Sequence, residues 1–414
     1  DIEKQFDEIN IPDEAFEQLF KFFDQWNWHL DTRITASGRD INPDVLGYIF
    51  EQYINDRAQM GAYYTKEDIT EYIGKNCILP FLMDRLAEKN PEAFKPDGYV
   101  WQTLRNSGDK YIYDAVKKGV ADWDAIPQEI ADGIDTTQPD LLARRAHWND
   151  RTPLQWGLPT EIWRETIERL QRCRDLQRKI SNGEITHIND FITYNLDIRQ
   201  FVQDLLEKTD DHLFLLHFNE ALLKVTILDP TCGSGAFLFA AMNILEPLYE
   251  TCVYRMKEFN EQNPNLFKAN LEELHSRYRS NIQYYIYKTI ILHNLYGVDI
   301  MHEATEIAKL RLFLKMVAVV DVDFTADNLG LDPLPDIDFN IRCGNTLVGY
   351  ATEKQLDIDL QYGDMFANLE FKEKIDTEMQ KVAKTFERFR QLQLSQDAEN
   401  MQAFKDAKQE LNDR

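Results

Sequence analysis

The chain is poor in positive charge: of its 414 residues, 46 are Lys or Arg against 71 Asp or Glu, a formal net charge of -25. A long phosphate-neutralising face needs a basic surplus, so any nucleic-acid partner would have to be gripped mainly by regions outside this sequence. Cysteine is scarce too. Cys77, Cys173, Cys232, Cys252 and Cys343 are scattered without a C-x-x-C pair, which argues against a disulfide framework and a zinc site and fits a reducing cytoplasm. No apolar run approaches the roughly 18 residues of a membrane span, and no signal peptide opens the chain. The first residue is Asp1, and the final "KQELNDR" stops inside a helical pattern; both features read as a piece of a longer protein.

What is present is length enough for two or three domains. Residues 1–60 read as a helical N-terminal region, with Phe16, Leu19, Phe20 and Phe23 at helical spacing and an aromatic cluster, "FFDQWNWHL", expected in a core. Residues 61–95 read as a loop delivering a helix: in "GAYYTKEDITEYIGKNCILPFL", Thr65 and Asp68 have capping-box spacing ahead of an apolar run through Ile69, Tyr72, Ile73 and Cys77. Residues 96–220 are predicted mostly helical, with Trp-rich turns and a helix opening after Pro159 and Thr160, and show no pattern that carries chemistry.

At Val225 the pattern changes. "VTILD" is a short β-branched run of the buried parallel kind, followed by a turn and a helix. A second unit runs from a strand at Leu295–Val298, ending on Asp299, into an amphipathic helix, and a third short strand is expected in "DFNIRCGNTLVG". Alternation of strand and helix predicts a doubly wound α/β sheet over residues 221–350, interrupted by a helical insertion at about 248–293. Residues 351–414 read as helical. The stripe Phe371, Ile375, Met379, Val382, Phe386, Phe389 is too short for a clean coiled coil and fits a helix packed on its own domain or on a hairpin neighbour.

The chemistry concentrates in "ILDPTCGSGAFLFAAM", Ile227 to Met242. In a parallel sheet ligands sit beyond the carboxyl ends of the strands, where a turn meets a helix N-terminus. Gly233 and Gly235 let the backbone come close to a ligand and present amide donors, while Asp229 places a carboxylate at the strand tip. A phosphate cradle of the G-x-x-x-x-G-K-[ST] kind carries a Lys and no such acid, and the G-x-G-x-x-G dinucleotide pattern is broken after Gly235 by Phe237 and Leu238. Amides for a carboxylate and an acid for an ammonium suit a zwitterion, such as the methionine end of S-adenosylmethionine. Asp299 in "YGVDI" is placed to accept from the ribose hydroxyls and Ile300 to lie against the adenine; Asp299 by itself reads first as a helix-capping carboxylate, and the glycine turn reverses that preference. Ala304 and Ala308 permit the following helix to approach the sheet. Cys232 is not read as a nucleophile, since Asp229 nearby disfavours a thiolate and no His accompanies it.

These residues resemble a known family. "DPTCGSGAFL" resembles motif I of the amino-group DNA methyltransferases, in the adenine-N6 branch; "GAYYTKEDI" is similar to their motif X, with Lys66 where Pro is usual; "GVDIMHEATEIAKLRLFL" is similar to motif II, and "IRCGNTL" to the segment after it. Motif X ahead of motif I is the order of the gamma class. The helical inserts and the "IRCGNTLVG" line further resemble large type IIG restriction-modification and phage-growth-limitation methyltransferases. The resemblance implies an α/β fold, a partial Rossmann-like AdoMet-dependent methyltransferase core with a large helical N-terminal region and helical insertions. It implies that Tyr63, Tyr64 and Thr65 close over the methionine end of the cofactor, which Asp229 and the amides around Cys232, Gly233 and Gly235 also hold. Asp299 and Ile300 take the adenosine, and Asn345 reads the adenine edge. Asn345 also reads as a turn residue after Gly344, and Tyr63 and Tyr64 as ordinary packing.

The family's catalytic [NDS]-P-P-[YFW] segment, which accepts from the target amino group and stacks on a flipped base, has no counterpart, because the chain contains no Pro-Pro dipeptide. Nor does residue 1 to about 100 hold a convincing P-D…[DE]-x-K nuclease pattern. The resemblance therefore implies the cofactor-binding part of a site-specific DNA methyltransferase, inactive as it stands, with double-stranded DNA held by regions downstream, possible partners among defence-system proteins, and no membrane. Two alternatives stay open: a methyltransferase acting on RNA or protein, and a non-catalytic scaffold or DNA mimic.

Overall fold

The computed structural model describes residues 12–28, 40–41, 49, 65–276, 281–320, 324, 334–350, 352–360, 365–395 and 401–413. In chain order its longer helices are α1 (Asp13–Phe23), α2 (Glu67–Lys89), α3 (Trp163–Ser181), α4 (Ile198–Lys208), α5 (His212–Lys224), α6 (Ala236–Gln262), α7 (Lys268–Ser276), α8 (Ile282–His293), α9 (His302–Val317), α10 (Met365–Ser395) and α11 (Met401–Asn412). Three strands, β1 (Ile227–Asp229), β2 (Leu295–Asp299) and β3 (Ile341–Cys343), form a parallel sheet in that order. All three expected strands exist, the first trimmed to its last residues, and helices fill the expected insertion. Most of the described chain is helical, and the sheet is small. No helix among the described residues is long and apolar enough to cross a membrane. The chain divides into two compact units, Asp1–Glu67 with Thr226–Met242 and Arg277–Arg414, and Asp68–Val225 with Asn243–Ser276.

The second of these units is helical. Helix α3 buries Trp163, Ile167, Leu170, Cys173, Leu176 and Ile180, a stripe stepping by three and four. Trp148, Trp156 and Trp163 form a core with Ile126, Ile130, Ile167 and Leu170. Their burial is tolerated because the Trp148 and Trp156 indoles donate to the carbonyls of Ile130 and Asp122 at 3.1 and 3.0 Å. Arg169 forks onto Glu161 with two 2.8 Å bonds and donates to the carbonyls of Val116, Lys118 and Trp156, fastening three turns to α3. The Trp-rich turns are thus anchors of this core.

Helix α2 departs from its apolar pattern. Ile69, Tyr72 and Ile73 are exposed, while burial begins with Thr70 and resumes at Ile78, Leu79, Leu82, Met83 and Leu86. The packed face runs through Thr70, Gly74 and Ile78. At Gly74 a Cβ would come within 2.9 Å of Ile244 Cδ1, so this face includes a small residue that carries no hydrophobic signal.

In the sheet-bearing unit, β2 is central. Asn340 is fully buried and donates to the carbonyls of Leu295 at 3.0 Å and Ile291 at 3.1 Å, sealing the end of α8 where the chain enters the strand. Helix α10 packs on α11 around Phe389, which is stacked on Phe404 at 5.0 Å and meets Phe339 edge-on at 5.1 Å. Gln393 makes a reciprocal pair with the Asp336 backbone at 2.7 and 2.9 Å, and Lys408 binds Asp336 and Asp338. Only the C-terminal part of the predicted α10 stripe is buried; Phe371, Met379 and Val382 are exposed.

The N-terminal region also differs from expectation. Phe16, Leu19 and Phe20 share a face of α1 but are exposed, and Asn27–Trp28 pair with Asp40–Ile41 as a two-residue parallel ladder instead of helix. Periodicity says which residues share a face; it does not supply what covers it.

Candidate ligand site at the strand tips

Strands β1 and β2 each end on an aspartate. Asp229 stands in register with Gly297, and Asp299 lies two residues further along β2. Side chains at matching and at i, i+2 positions of a parallel pair share one face, so both carboxylates project from the same side of the sheet.

The turn that follows β1 folds back over the tip of β2. Gly233 and Gly235 take positive φ angles of 52° and 89°, which an L side chain resists. Within the turn, the Cys232 amide donates to the Val298 carbonyl at 2.9 Å, the Gly235 amide to the Cys232 carbonyl at 2.8 Å, and the Gly233 amide to Asp299 Oδ2 at 2.8 Å. All three of these amides are thus engaged inside the protein, so of the amides around Cys232, Gly233 and Gly235 it is their neighbours that are left to meet a ligand. Donors without an intrahelical acceptor remain where α6 begins, at Ala236 and Phe237.

Asp299 is half-buried; its second oxygen accepts the Met301 amide at 2.9 Å in the turn ahead of α9, whose N-terminus has no side-chain cap bond. Each of its oxygens keeps a further lone pair for another donor. Asp229 is different. Its Oδ1 accepts the Thr231 amide at 3.0 Å, but its Oδ2 is buried with no hydrogen-bond partner. Burial pushes the Asp229 carboxyl above its ordinary range; the Thr231 amide pulls it back in part, and the neighbouring Asp299 charge raises it further. An orphaned buried carboxylate oxygen is what an incoming ammonium would satisfy.

Cys232 is buried, and its thiol is pushed up to about 12, first by burial and then by the Asp229 and Asp299 charges. That agrees with excluding it as a nucleophile. A Cβ on Gly297 would meet Cys232 Sγ at 2.9 Å, and one on Gly235 would meet Ala308 Cβ at 3.3 Å. Ala304 and Ala308 are buried, as close packing of α9 demands.

The loop after β3 completes the rim. The Gly344 amide donates to the Asp299 carbonyl at 2.8 Å, the Thr346 hydroxyl to the Pro230 carbonyl at 3.1 Å, and the Cys343 thiol to the Ile300 carbonyl at 3.5 Å. Ile300 is 62 % exposed and so can lie against a ligand. Asn345 is exposed and its side-chain oxygen accepts the Leu347 amide at 2.9 Å, the turn role that its sequence reading left open. Thr65 is half-buried just ahead of α2, whereas Tyr63 and Tyr64 lie outside the described residues. Of the predicted site, then, Asp229, Cys232, Gly233, Gly235, Asp299, Ile300 and Asn345 converge at one end of the sheet.

Gly297, Ser234, Arg311 and Thr346 were missed by sequence reasoning. A glycine between Tyr296 and Val298 in a strand signals close approach, and a cation on the Ala304–Ala308 face of α9 signals a buried partner. Both signals were legible.

An acid-tipped pair of parallel strands with a glycine turn over them is a candidate strand-tip ligand site, compatible with the α/β type. Residues 205–351, which bracket everything from Asp229 to Asn345, match the family model of the MmeI DNA-methyltransferase domain. The chain is 26% identical over 354 residues to a predicted type II restriction enzyme and methyltransferase of Methanocaldococcus jannaschii, covering 84% of this chain and 20% of that protein. It is 27% identical over 140 residues to the type II restriction enzyme and methyltransferase RM.Eco57I of Escherichia coli, covering 33% of this chain and 12% of that one. No solved structure matches. The chain resembles the large type IIG restriction-modification methyltransferases, as its motifs indicated, and it spans a fifth or less of the length of these relatives. A methyltransferase of this kind draws on a methyl donor.

Proposed function

We propose that the chain is the cofactor-binding part of a site-specific DNA adenine-N6 methyltransferase from a restriction-modification or phage-defence system, and that S-adenosylmethionine is the methyl donor. The observation that carries the reading is the buried, unpartnered Oδ2 of Asp229, on the same sheet face as Asp299 and next to the N-terminus of α6. Asp229 would accept the ammonium of the methionine end, and the first amides of α6 its carboxylate. Asp299, already fixed by two amides, would use its remaining lone pairs for the ribose hydroxyls. Ile300 would face the adenine and Asn345 would read its edge, while Tyr63, Tyr64 and Thr65 would close over the methionine end. When bound, the cofactor supplies an electrophilic methyl group; the residues of this chain bind and orient it and exclude water from it.

Adenine specificity rests on the resemblance of "DPTCGSGAFL" to the N6 branch. Since no Pro-Pro dipeptide occurs, the target base is assigned to segments outside this chain, as is the grip on double-stranded DNA, for which the net charge of -25 is ill suited. The chain by itself is expected to bind cofactor without transferring methyl groups. Titration calorimetry with S-adenosylhomocysteine tests the reading: saturable binding that Asp229→Ala and Asp299→Ala both weaken supports it, and folded protein that gives no saturable signal overturns it.

A further inference from the structure

Arg311 lies on α9 and is only 5 % exposed. Its Nη1 donates to the Ser234 carbonyl at 2.7 Å and to the Ser234 hydroxyl at 3.0 Å, and its guanidinium lies 4.3 Å over the Phe239 ring. Ser234, 1 % exposed, is the residue between the two glycines of the turn. Glycines give a turn its shape but leave its peptide planes loosely determined. Here the central plane is set from outside: with the Ser234 carbonyl drawn toward Arg311, the Gly235 amide of the same peptide unit points the opposite way, into its bond with the Cys232 carbonyl. The ring of Phe239, on the first turn of α6, is held by the same guanidinium. One rigid, permanently charged group thus fixes both the turn and the start of the helix that follows it.

We propose that Arg311 is a positioning residue for the ligand site: it sets the direction of the first α6 amides relative to Asp229 by clamping Ser234, and it does so without touching the ligand. The inference rests on the strand-tip site being the cofactor site. Lysine at this position would keep the charge but lose the planar fork, and methionine would keep only the bulk.

Hydrogen exchange of the ligand-free chain, paired with binding of S-adenosylhomocysteine, tests it on Arg311→Lys, Arg311→Met and Ser234→Ala. Lys309→Ala is the control, because Lys309 sits on the same helix but pairs with Glu306 and Asp338 at 2.8 and 2.9 Å. The expected result is exchange in residues 232–239 faster by about tenfold in Arg311→Met and by less in Arg311→Lys, with affinity falling in the same order by about 10- to 100-fold. Lys309→Ala lowers the melting temperature without either change. Unaltered exchange and affinity in both Arg311 variants overturn the proposal, and so does an equal effect from Lys309→Ala. If Arg311→Met does not fold, Arg311→Lys and Ser234→Ala carry the comparison. A parent protein that binds no S-adenosylhomocysteine sinks the cofactor reading, while the exchange data still decide what Arg311 does to the turn.

Discussion

The backbone amide of Gly233 donates to the carboxylate of Asp299 across 2.8 Å, although 66 positions separate them in sequence. The turn after β1 is thereby tethered to the tip of β2 by a bond within the protein, and the carboxylate that is proposed to take the ribose also shapes the turn proposed to take the amino acid. Asp299→Asn can accept one of the two amides but not both, since its Nδ2 only donates. We expect S-adenosylhomocysteine to bind about 10- to 100-fold more weakly, equivalent to the roughly 1.5–3 kcal/mol of hydrogen bonds to a charged group. Calorimetry checks the affinity, and exchange of the Gly233 amide checks the tether; slow exchange retained in the variant contradicts the link between them.

Asp229 makes an opposite prediction for stability and binding. Its carboxyl is raised by burial, so the folded chain holds the proton to higher pH than the unfolded chain does. The favourable contribution of the neutral form is present below the unfolded value, and it is lost as pH rises through the folded one, leaving a buried charge that weakens the fold at neutral pH. Asp229→Asn removes that charge. Its melting temperature at pH 7 is expected to equal or exceed that of the parent, while its affinity for S-adenosylhomocysteine falls. Parent affinity should rise with pH across the acidic range, because the ammonium wants the ionised carboxylate. Thermal scans and calorimetry at several pH values read both; a large loss of stability in Asp229→Asn contradicts the account.

The five thiols should separate into two classes. Cys77 and Cys343 are exposed, whereas Cys173, Cys232 and Cys252 are buried. Burial raises all three of the latter, Cys232 to about 12. In native protein at pH 8, a maleimide is expected to modify Cys77 and Cys343 and spare the others, which peptide mapping resolves. Cys343 stands in register with Asp299, so saturating S-adenosylhomocysteine should slow its labelling and leave Cys77 unaffected. Equal protection of both would indicate a global effect instead of occupancy at the strand tips.

In the helical unit, Asp204 on α4 is 1 % exposed and accepts from Tyr111 at 2.9 Å, Gln200 at 2.8 Å and Lys208 at 2.9 Å, and from Lys110. Burial alone would raise its carboxyl, but the bonds from Lys110, Lys208, Gln200 and Tyr111 outweigh that and hold it well below the usual carboxylate range. Its contribution to stability is present above the unfolded value near 4 and disappears as pH falls toward the lowered folded value. Asp204→Ala should cost about 1.5–3 kcal/mol, the range for hydrogen bonds to a charged group, because Lys110 and Lys208 reach solvent and are left hydrated. Denaturant melts at pH 7 and pH 3 check both size and sign: the difference between parent and variant should shrink at the lower pH.

Much of the site was legible because its signals are local. Asp229 and Asp299 each follow a β-branched or apolar run directly, and Gly233 and Gly235 flank a serine in one turn, so the spacing alone places them at strand tips. The free donors were not legible. Which amides face a ligand depends on the carbonyl of Val298 and the carboxylate of Asp299, groups that reach the turn only through β2. For the same reason the buried face of α2 was misplaced: Gly74 on that face leaves no room for a Cβ beside Ile244, and no hydrophobicity pattern marks a glycine.

The sequence by itself determined the order of the strands and turns, the acids that end β1 and β2, the family resemblance, and the scarcity of basic charge. Each of these is written in neighbouring residues or in sums over the chain. Only the tertiary structure decided that both acids share one sheet face, that one oxygen of Asp229 is left without a donor, that Arg311 clamps Ser234, and that half of the α10 stripe stays in solvent. Those outcomes depend on which distant groups arrive to compete for a hydrogen bond or to cover a surface, and that competition is resolved only when the chain closes on itself.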